Sequence, residues 1–170
     1  MEKKTISAVT AGLITAAILI VLALVIYFTK RNEEQWPQYL GIGVYMVAIV
    51  AFINIHANQV GRTASFGQLL GFGFRIIPVV IILMVLYTVA SNYMFPEVKQ
   101  NFLDYQRTEA LKLQNNTEAQ IDENIKNLSK NYTILLVMGQ LFFYMVGGAL
   151  ATVTGAVIAK KIPTSTLQNQ

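Results

Sequence analysis

The chain contains no cysteine and a single histidine, His56, among its 170 residues. The absence of cysteine excludes disulfide bonds, thiol nucleophiles and thiolate metal sites. A single imidazole also excludes, within one protomer, the zinc and iron sites that paired histidines form. His56 has no serine or cysteine partner at a recognisable spacing, and the carboxylates are concentrated in one loop. We therefore expect no metal, no cofactor and no enzymatic activity of the chain alone.

Charged residues are also scarce. They make up 13% of the chain, against about 25% in soluble domains, while hydrophobic residues make up 54%. The net charge of +4 is carried mostly by lysines and arginines near the ends of apolar runs, and no basic stripe is interleaved with aromatic residues. This composition argues against a nucleic-acid partner. It indicates the lipid bilayer as the surroundings of most of the chain.

Four long apolar runs make up about half of the sequence. A helix needs roughly 20 apolar residues to cross the hydrocarbon core of a bilayer, and the runs are long enough with modest tilt. They predict an all-α integral membrane four-helix bundle that forms a single polytopic domain over residues 1–170. The predicted spans are residues 7–28, 39–57, 76–95 and 133–158, and a polar loop covers residues 96–132.

The distribution of basic residues predicts the orientation. With alternating spans, both termini and residues 56–75 share one side, which holds six basic residues in short segments against the single acidic residue Glu2. The other side holds seven basic and eight acidic residues, mostly in the long loop. Because basic residues near helix ends favour the cytoplasmic side, we expect both termini in the cytoplasm. The first run exceeds the core of a signal peptide, about 7–15 apolar residues, and is expected to remain as a span.

The stretch from Ser65 to Phe74 has amphipathic character and precedes the third span. Phe66, Leu69, Leu70 and Phe74 fall at helical spacing, and Ser65 is a candidate N-cap. We expect this stretch to lie along the membrane surface as an interfacial segment, followed by a bend at Pro78. A continuous, kinked helix is the alternative.

The polar loop is expected to contain two short helices outside the membrane. Residues recur at helical spacing on both sides of a central break, where Thr117 is a candidate helix cap. Before the break they are Val98, Phe102 and Tyr105, and after it they are Ile121, Ile125, Leu128 and Tyr132. The loop is either a docking surface for a partner or a folded connector that covers its own apolar stripes.

Two spans carry stripes of small residues. Gly147, Ala151 and Gly155 recur every four residues in the fourth span, and Gly12 and Ala16 do so in the first. Helices in a bilayer associate where small residues let their backbones approach. We expect these two helix-packing faces to contact each other within one protomer, and a homodimer through them is the alternative.

Four polar residues lie near one end of the second and third spans. They are Asn54, His56, Gln68 and Arg75. Ionisable residues deep inside a membrane usually mark ion or proton paths, and none lies in the middle of these spans. The four residues are expected either to form an inner-interface polar cluster that binds a lipid phosphate or a partner carboxylate, or simply to anchor helix ends.

The layout of the chain as a whole also carries information. Three features distinguish this layout. The stretch Ser65-Phe66-Gly67-Gln68 leads through Gly71 into the third span, and Phe95-Pro96-Glu97 stands at the end of that span. The last span contains glycine and ends at Lys160-Lys161. This layout resembles the membrane protein family of domain of unknown function 4199, found mainly in Bacteroidetes. The resemblance covers nearly the whole chain and includes no catalytic motif. It implies a bacterial inner-membrane protein without an assigned activity, and it transfers no functional residues.

Two functions remain as hypotheses. The first is a non-enzymatic accessory or scaffold subunit of a membrane complex, which binds a membrane-protein partner or further copies of the chain. The second is a small transporter or lipid-handling protein that works as an oligomer, since four helices with small residues can hardly enclose a wide pore alone. Co-isolation of one partner in mild detergent favours the first hypothesis. Movement of a solute or lipid by the purified protein in liposomes favours the second.

Overall fold

The computed structural model describes residues 5–29, 36–112 and 117–161, and all regular structure in these residues is α-helical. Four of the helices are long and apolar enough to cross a membrane, namely the first, second, third and fifth. The predicted all-α architecture with four spanning helices is confirmed. The helices are α1 (Ala8–Phe28), α2 (Trp36–Gln59), α3 (Phe66–Met94), α4 (Pro96–Lys112) and α5 (Glu118–Lys161).

Side-chain caps fix the start of three helices. The Ser7 hydroxyl accepts a hydrogen bond from the backbone N–H three residues ahead (3.0 Å). Ser65 and Gln68 form a capping box at the start of α3. Thr117 and Gln120 exchange the same pair of bonds at the start of α5. Each cap satisfies N–H groups that a helix leaves unpaired in its first turn.

The turn between α2 and α3 depends on Gly61, whose φ is +64°. The N–H groups of Gly61 and Arg62 donate to the carbonyl oxygens of Asn58 (3.1 Å) and Ala57 (2.7 Å). This is the Schellman arrangement, in which a left-handed residue ends a helix. Arg62 also has a positive φ of 57°. That conformation costs a residue with a side chain on the order of 1–3 kcal/mol.

α3 and α5 form the centre of the bundle. α5 runs antiparallel to α3 and packs on both α3 and α2. α1 packs on α3 and on α2, and it has no contact with α5 within the described residues. The fully buried side chains come mainly from the middle of α2 and α3, and the largest are Tyr45, Ile49, Ile53, Leu69, Ile76 and Val80.

The stretch from Ser65 to Phe74 forms the first turns of α3 and is not a separate interfacial segment. α3 continues through Pro78 to its end without a break. Leu69 and Phe72 are buried in the bundle, whereas Phe66 and Phe74 are 42% and 47% exposed, so only one side of this stretch packs on protein. The structure therefore has the continuous-helix alternative in place of the expected surface segment.

α5 is much longer than a membrane span. It has 44 residues, which corresponds to about 66 Å at the usual rise per residue, about twice the hydrocarbon thickness of a bilayer. Its first part pairs with α4, and we call α4 together with residues 118–132 the hairpin. The second predicted loop helix and the fourth span are thus one helix. The sequence explains this continuity, because it has no glycine or proline between Glu118 and Met138.

Candidate functional site

Glycines set the distance between α3 and its neighbours. A Cβ added at Gly73 would lie 2.5 Å from Thr152 Cγ2 and 2.8 Å from Ile53 Cδ1. A Cβ added at Gly148 would lie 2.8 Å from Ile77 Cγ1. A side chain at either glycine would push the helices apart. Gly73 and Gly148 therefore hold α2, α3 and α5 in close contact.

The predicted small-residue stripe of the fourth span faces α2. Gly147, Ala151 and Gly155 are all buried. A Cβ at Gly155 would lie 3.2 Å from the Val50 Cα, and one at Gly147 would lie 3.8 Å from the Met46 side chain. The backbone of α5 thus lies against the backbone of α2 at Gly155.

The predicted stripe of the first span faces α3. A Cβ added at Gly12 would lie 2.7 Å from Val79 Cβ, and Ala16 is fully buried. Because α1 and α5 do not touch within the described residues, the expectation that these two stripes pack on each other is wrong. The physical reason is that α3 presents Gly73 to α5 and Val79 to α1, so α3 lies between them.

Asn54 and His56 of the predicted polar cluster point to different neighbours. They are two residues apart on α2, which turns their side chains about 200° away from each other. The His56 ring stacks on Phe72, with 4.0 Å between ring centroids and 10° between ring planes. Asn54 Nδ2 donates to the Val50 carbonyl oxygen (2.9 Å).

Gln68 and Arg75 of the same predicted cluster belong to a third surface. Gln68 accepts a hydrogen bond from the Ser65 N–H (2.7 Å) and so serves the start of α3. Arg75 is exposed on α3. No hydrogen bond joins any two of the four residues in the part of the chain that the structure describes, so the fold does not assemble them into one site.

Arg62 makes an inter-helix contact that the sequence analysis missed. Its Nη1 donates to the Ala159 carbonyl oxygen (2.9 Å). This is one of the last carbonyls of α5, which have no partner within the helix. A cation at this position also interacts favourably with the helix dipole. The contact explains why Arg62 keeps its left-handed backbone, and the sequence signal for it was only a basic residue beside Gly61.

Neutral side chains join α3 and α5 near the hairpin. Gln140 Nε2 donates to Thr88 Oγ1 (2.6 Å), and Asn92 Nδ2 donates to Thr133 Oγ1 (3.1 Å). Hydrogen bonds of this kind contribute about 0.6–2 kcal/mol each to the association of membrane helices. They hold the two helices in register where they leave the bundle.

The hairpin is held together by different contacts. The Arg107 guanidinium pairs with the Asp122 carboxylate at 2.8 Å, and both side chains are at least half exposed. The rings of Phe102 and Tyr132 pack with 5.5 Å between centroids. No residue of α4, all of which the structure describes, is buried. Arg107 and Asp122 also line part of an open groove of about 550 Å³ between α4 and α5.

The start of α4 is tied to the end of α1. The Tyr27 hydroxyl donates to Glu97 Oε1, and the Tyr27 ring packs on Phe95 with 4.1 Å between centroids. The hydrogen bond from Tyr27 holds the pKa of Glu97 below its ordinary value. At the other end of α4, the hydrogen bond to Glu109 raises the pKa of Lys112.

The polar groups of the bundle are neutral or stand at its ends. Within residues 5–29, 36–112 and 117–161, no three histidine or acidic side chains are placed to hold a metal ion. The side chains in the bundle interior make contacts between helices. The candidate functional surfaces are therefore the hairpin and the bilayer-facing sides of the bundle.

The helices and their contacts define a multi-pass membrane protein in which polar and small residues hold the spans together. The model of a family described as protein of unknown function (DUF4199) matches residues 10–161. The chain belongs to this family, in agreement with the resemblance of its layout. No curated protein and no solved structure matches the chain.

Proposed function

We propose that the protein is an accessory or scaffold subunit of a membrane complex, without enzymatic activity of its own, and that the hairpin is its docking surface. The observation that carries this proposal is the lack of burial in α4, which spans 17 residues and buries none of them. Helices in proteins owe most of their stability to the packing of an apolar face. α4 therefore has surface left free for packing against a partner.

The exposed surface of α4 has the composition of a protein contact. Tyr105 and Leu111 are each 44% exposed, and they lie on the same helix as the half-exposed Arg107. Apolar and aromatic side chains among charged ones are typical of protein interfaces, whereas a surface that faces acyl chains carries no such charges. We infer that this surface binds an extramembrane part of another protein.

We also propose that the protein lies in the inner membrane of a bacterium with both termini in the cytoplasm and the hairpin on the opposite side. The end of the bundle away from the hairpin carries Arg62, Arg75, Lys160 and Lys161, and it has no acidic residue within the described part. Basic residues beside spans favour the cytoplasmic side. A cysteine introduced at Thr108 should then react with an impermeant thiol reagent in intact spheroplasts, while one introduced at Lys161 should not. The reverse labelling would overturn the orientation.

The rival function is a small transporter or lipid-handling protein. The contacts at Gly73 and Gly148 fill the space between α3 and α5, so a pathway would have to form between protomers. The scaffold function needs no such pathway. It uses the exposed surface that the hairpin already has.

The test is affinity purification of the tagged protein from its native membrane in mild detergent, followed by mass spectrometry of the proteins that co-purify. We expect one stoichiometric partner with the unmodified chain. The double variant Tyr105→Ser with Leu111→Ser should lose that partner. The matched control is Phe74→Ser, which removes a side chain of similar exposure (47%) at the opposite end of the bundle. It should keep the partner.

Two results would contradict the scaffold function. One is a partner that the hairpin variant retains as well as the control does. The other is movement of a solute or lipid by the purified protein alone in liposomes, with no stoichiometric partner in the native membrane. Circular dichroism of the hairpin variant shows whether α4 has kept its helix, so that loss of the partner reports on the surface.

A further inference from the structure

One side of α3 is exposed on the outside of the bundle along the whole helix. Its residues repeat every three or four positions, and this spacing places them in one line on the helix surface. Each of them is exposed or only partly buried, and the line consists of Gln68, Gly71, Arg75, Pro78, Ile82, Leu86, Val89 and Tyr93. Arg75 is its only charged residue. We call this line the α3 flank, and we propose that it binds an anionic phospholipid with the phosphate on Arg75.

Arg75 has no counterion in the bundle. It makes no hydrogen bond or ion pair with any residue in the described part of the chain. α1, α2, α3 and residues 133–161 contain no aspartate or glutamate at all. A cation on a bilayer-facing surface is costly unless a group of opposite charge meets it. The nearest abundant anions beside a span are the phosphates of lipid headgroups.

The position of Arg75 along α3 places it near these headgroups. It lies nine residues after the start of α3 at Phe66, which is about 14 Å along the helix axis. The 29 residues of α3 span about 43 Å, about 13 Å more than the hydrocarbon core. Because Tyr93 and Met94 end α3 at the hairpin, the excess length lies at the other end. Arg75 therefore falls close to the hydrocarbon boundary.

The surface next to Arg75 has room for a phosphate. Side chains on a helix lean towards its N-terminus, over the residues three and four positions earlier. The residue four positions earlier is Gly71, where an added Cβ would meet no atom within 4 Å. This direction would bring the Arg75 guanidinium beside bare backbone, and its planar fork suits two oxygens of one phosphate. Further along the flank Ile82 is 60% exposed and offers an apolar surface to an acyl chain.

A second copy of the chain is the competing occupant, because Gly67 and Gly71 are small residues four positions apart. Two parallel copies packed through these glycines would bring their two Arg75 guanidiniums into one interface. Like charges in an interface are unfavourable. The described spans offer no acidic residue to neutralise them. The charge of the flank therefore fits a phospholipid better than another copy.

Native mass spectrometry of the purified protein, from micelles with equal amounts of phosphatidylglycerol and phosphatidylcholine, tests the proposal. We expect the unmodified chain to retain phosphatidylglycerol in preference to phosphatidylcholine. Arg75→Gln should lower the retained phosphatidylglycerol about five- to tenfold, as expected for the loss of one basic contact with anionic lipid. Arg75→Lys should keep part of the preference. Gly71→Leu should lower it without a change of charge, because the leucine fills the space for the phosphate.

The control is Lys160→Gln, which removes one positive charge at the end of α5 and away from the flank. It should leave the retained phosphatidylglycerol nearly unchanged. An equal loss with Lys160→Gln and Arg75→Gln would overturn the proposal, since attraction to the whole basic end would then suffice. Retention that Arg75→Gln does not alter would overturn it as well. Spontaneous disulfide dimers of Gly71→Cys at low protein-to-lipid ratio would identify a second copy as the occupant and would also overturn it.

Discussion

Gly73 in the bundle and Arg107 in the hairpin both join helices, but by different means. Gly73 lets the α3 backbone approach Thr152 and Ile53 so closely that a single added carbon would clash. Arg107 reaches Asp122 through a long side chain that stays half exposed. In a bilayer apolar side chains gain little by facing each other, so close backbone contact and shape hold the spans together. In water an exposed ion pair contributes only about 0–1 kcal/mol. The bundle therefore carries the stability, and the hairpin keeps its surface for other contacts.

The bundle should be the more easily damaged region, and Gly73→Ala should have the largest effect. The added methyl group meets Thr152 and Ile53 in contact with α2 and α5, and overpacking of this kind typically costs about 1–3 kcal/mol. The free energy of unfolding in mixed detergent micelles measures the loss. Gly139→Ala is the control, because a Cβ at Gly139 meets no atom within 4 Å. It should be neutral or stabilising by up to about 1 kcal/mol. Equal losses at the two positions would show that the close contacts at Gly73 do not hold the bundle.

Thr88 and Gln140 should show an intermediate effect. Thr88→Val leaves the partly buried Gln140 amide N–H without its partner, and we expect a loss of about 1–2 kcal/mol in the free energy of unfolding. The double variant with Gln140→Leu makes both positions apolar and should be less destabilised than the sum of the single changes. A double-mutant cycle in the same micelles gives the coupling energy. Strictly additive losses would mean that the hydrogen bond contributes nothing to the pairing of α3 and α5.

Acid should loosen the start of the hairpin while the bundle stays unchanged, and this effect should be the smallest. The pKa of Glu97 is lowered by the hydrogen bond from Tyr27. The bond therefore stabilises the folded chain above the ordinary carboxyl pKa of 4.5, and this stabilisation is lost as the pH falls through the lowered pKa. Hydrogen exchange in the first turn of α4, corrected for intrinsic rates, should rise below that pKa. Glu97→Gln should remove the pH dependence there.

The opposite result would be an acid response in α2 or α3. These helices contain no acidic residue, so a change in their exchange below pH 4.5 would show that the two regions are coupled more strongly than their contacts indicate.

The features that the sequence predicted correctly depend on residues close together in the chain. The cap at Ser65 needs only Gln68, three residues ahead. The stripe of Gly147, Ala151 and Gly155 follows from a spacing of four residues, and it proved to be buried. Apolar length alone was enough for the four spanning helices. Local spacing determines which side of a helix carries small or apolar residues, and so these features could be predicted from the sequence.

The sequence did not reveal in the same way which helix each of these faces packs on. Gly12 packs on Val79, and the sequence contains no signal that prefers α3 to α5 for this contact. Arg62 binds the carbonyl of a residue 97 positions further along the chain. The glycine-rich stretch after Ser65 lowered the local hydropathy and so concealed that α3 begins there. Contacts between distant segments depend on the arrangement of all the helices, which one sequence does not reveal.

α5 joins the hairpin and the bundle as one uninterrupted helix from Glu118 to Lys161, and the angular phase of its two halves is therefore fixed. One residue inserted between Tyr132 and Thr133 would rotate the side that packs on α4 by about 100° relative to the side that packs on α2. Seven inserted residues would restore the phase to within about 20°. The number of residues at this junction is thus constrained by geometry, independently of which residues they are.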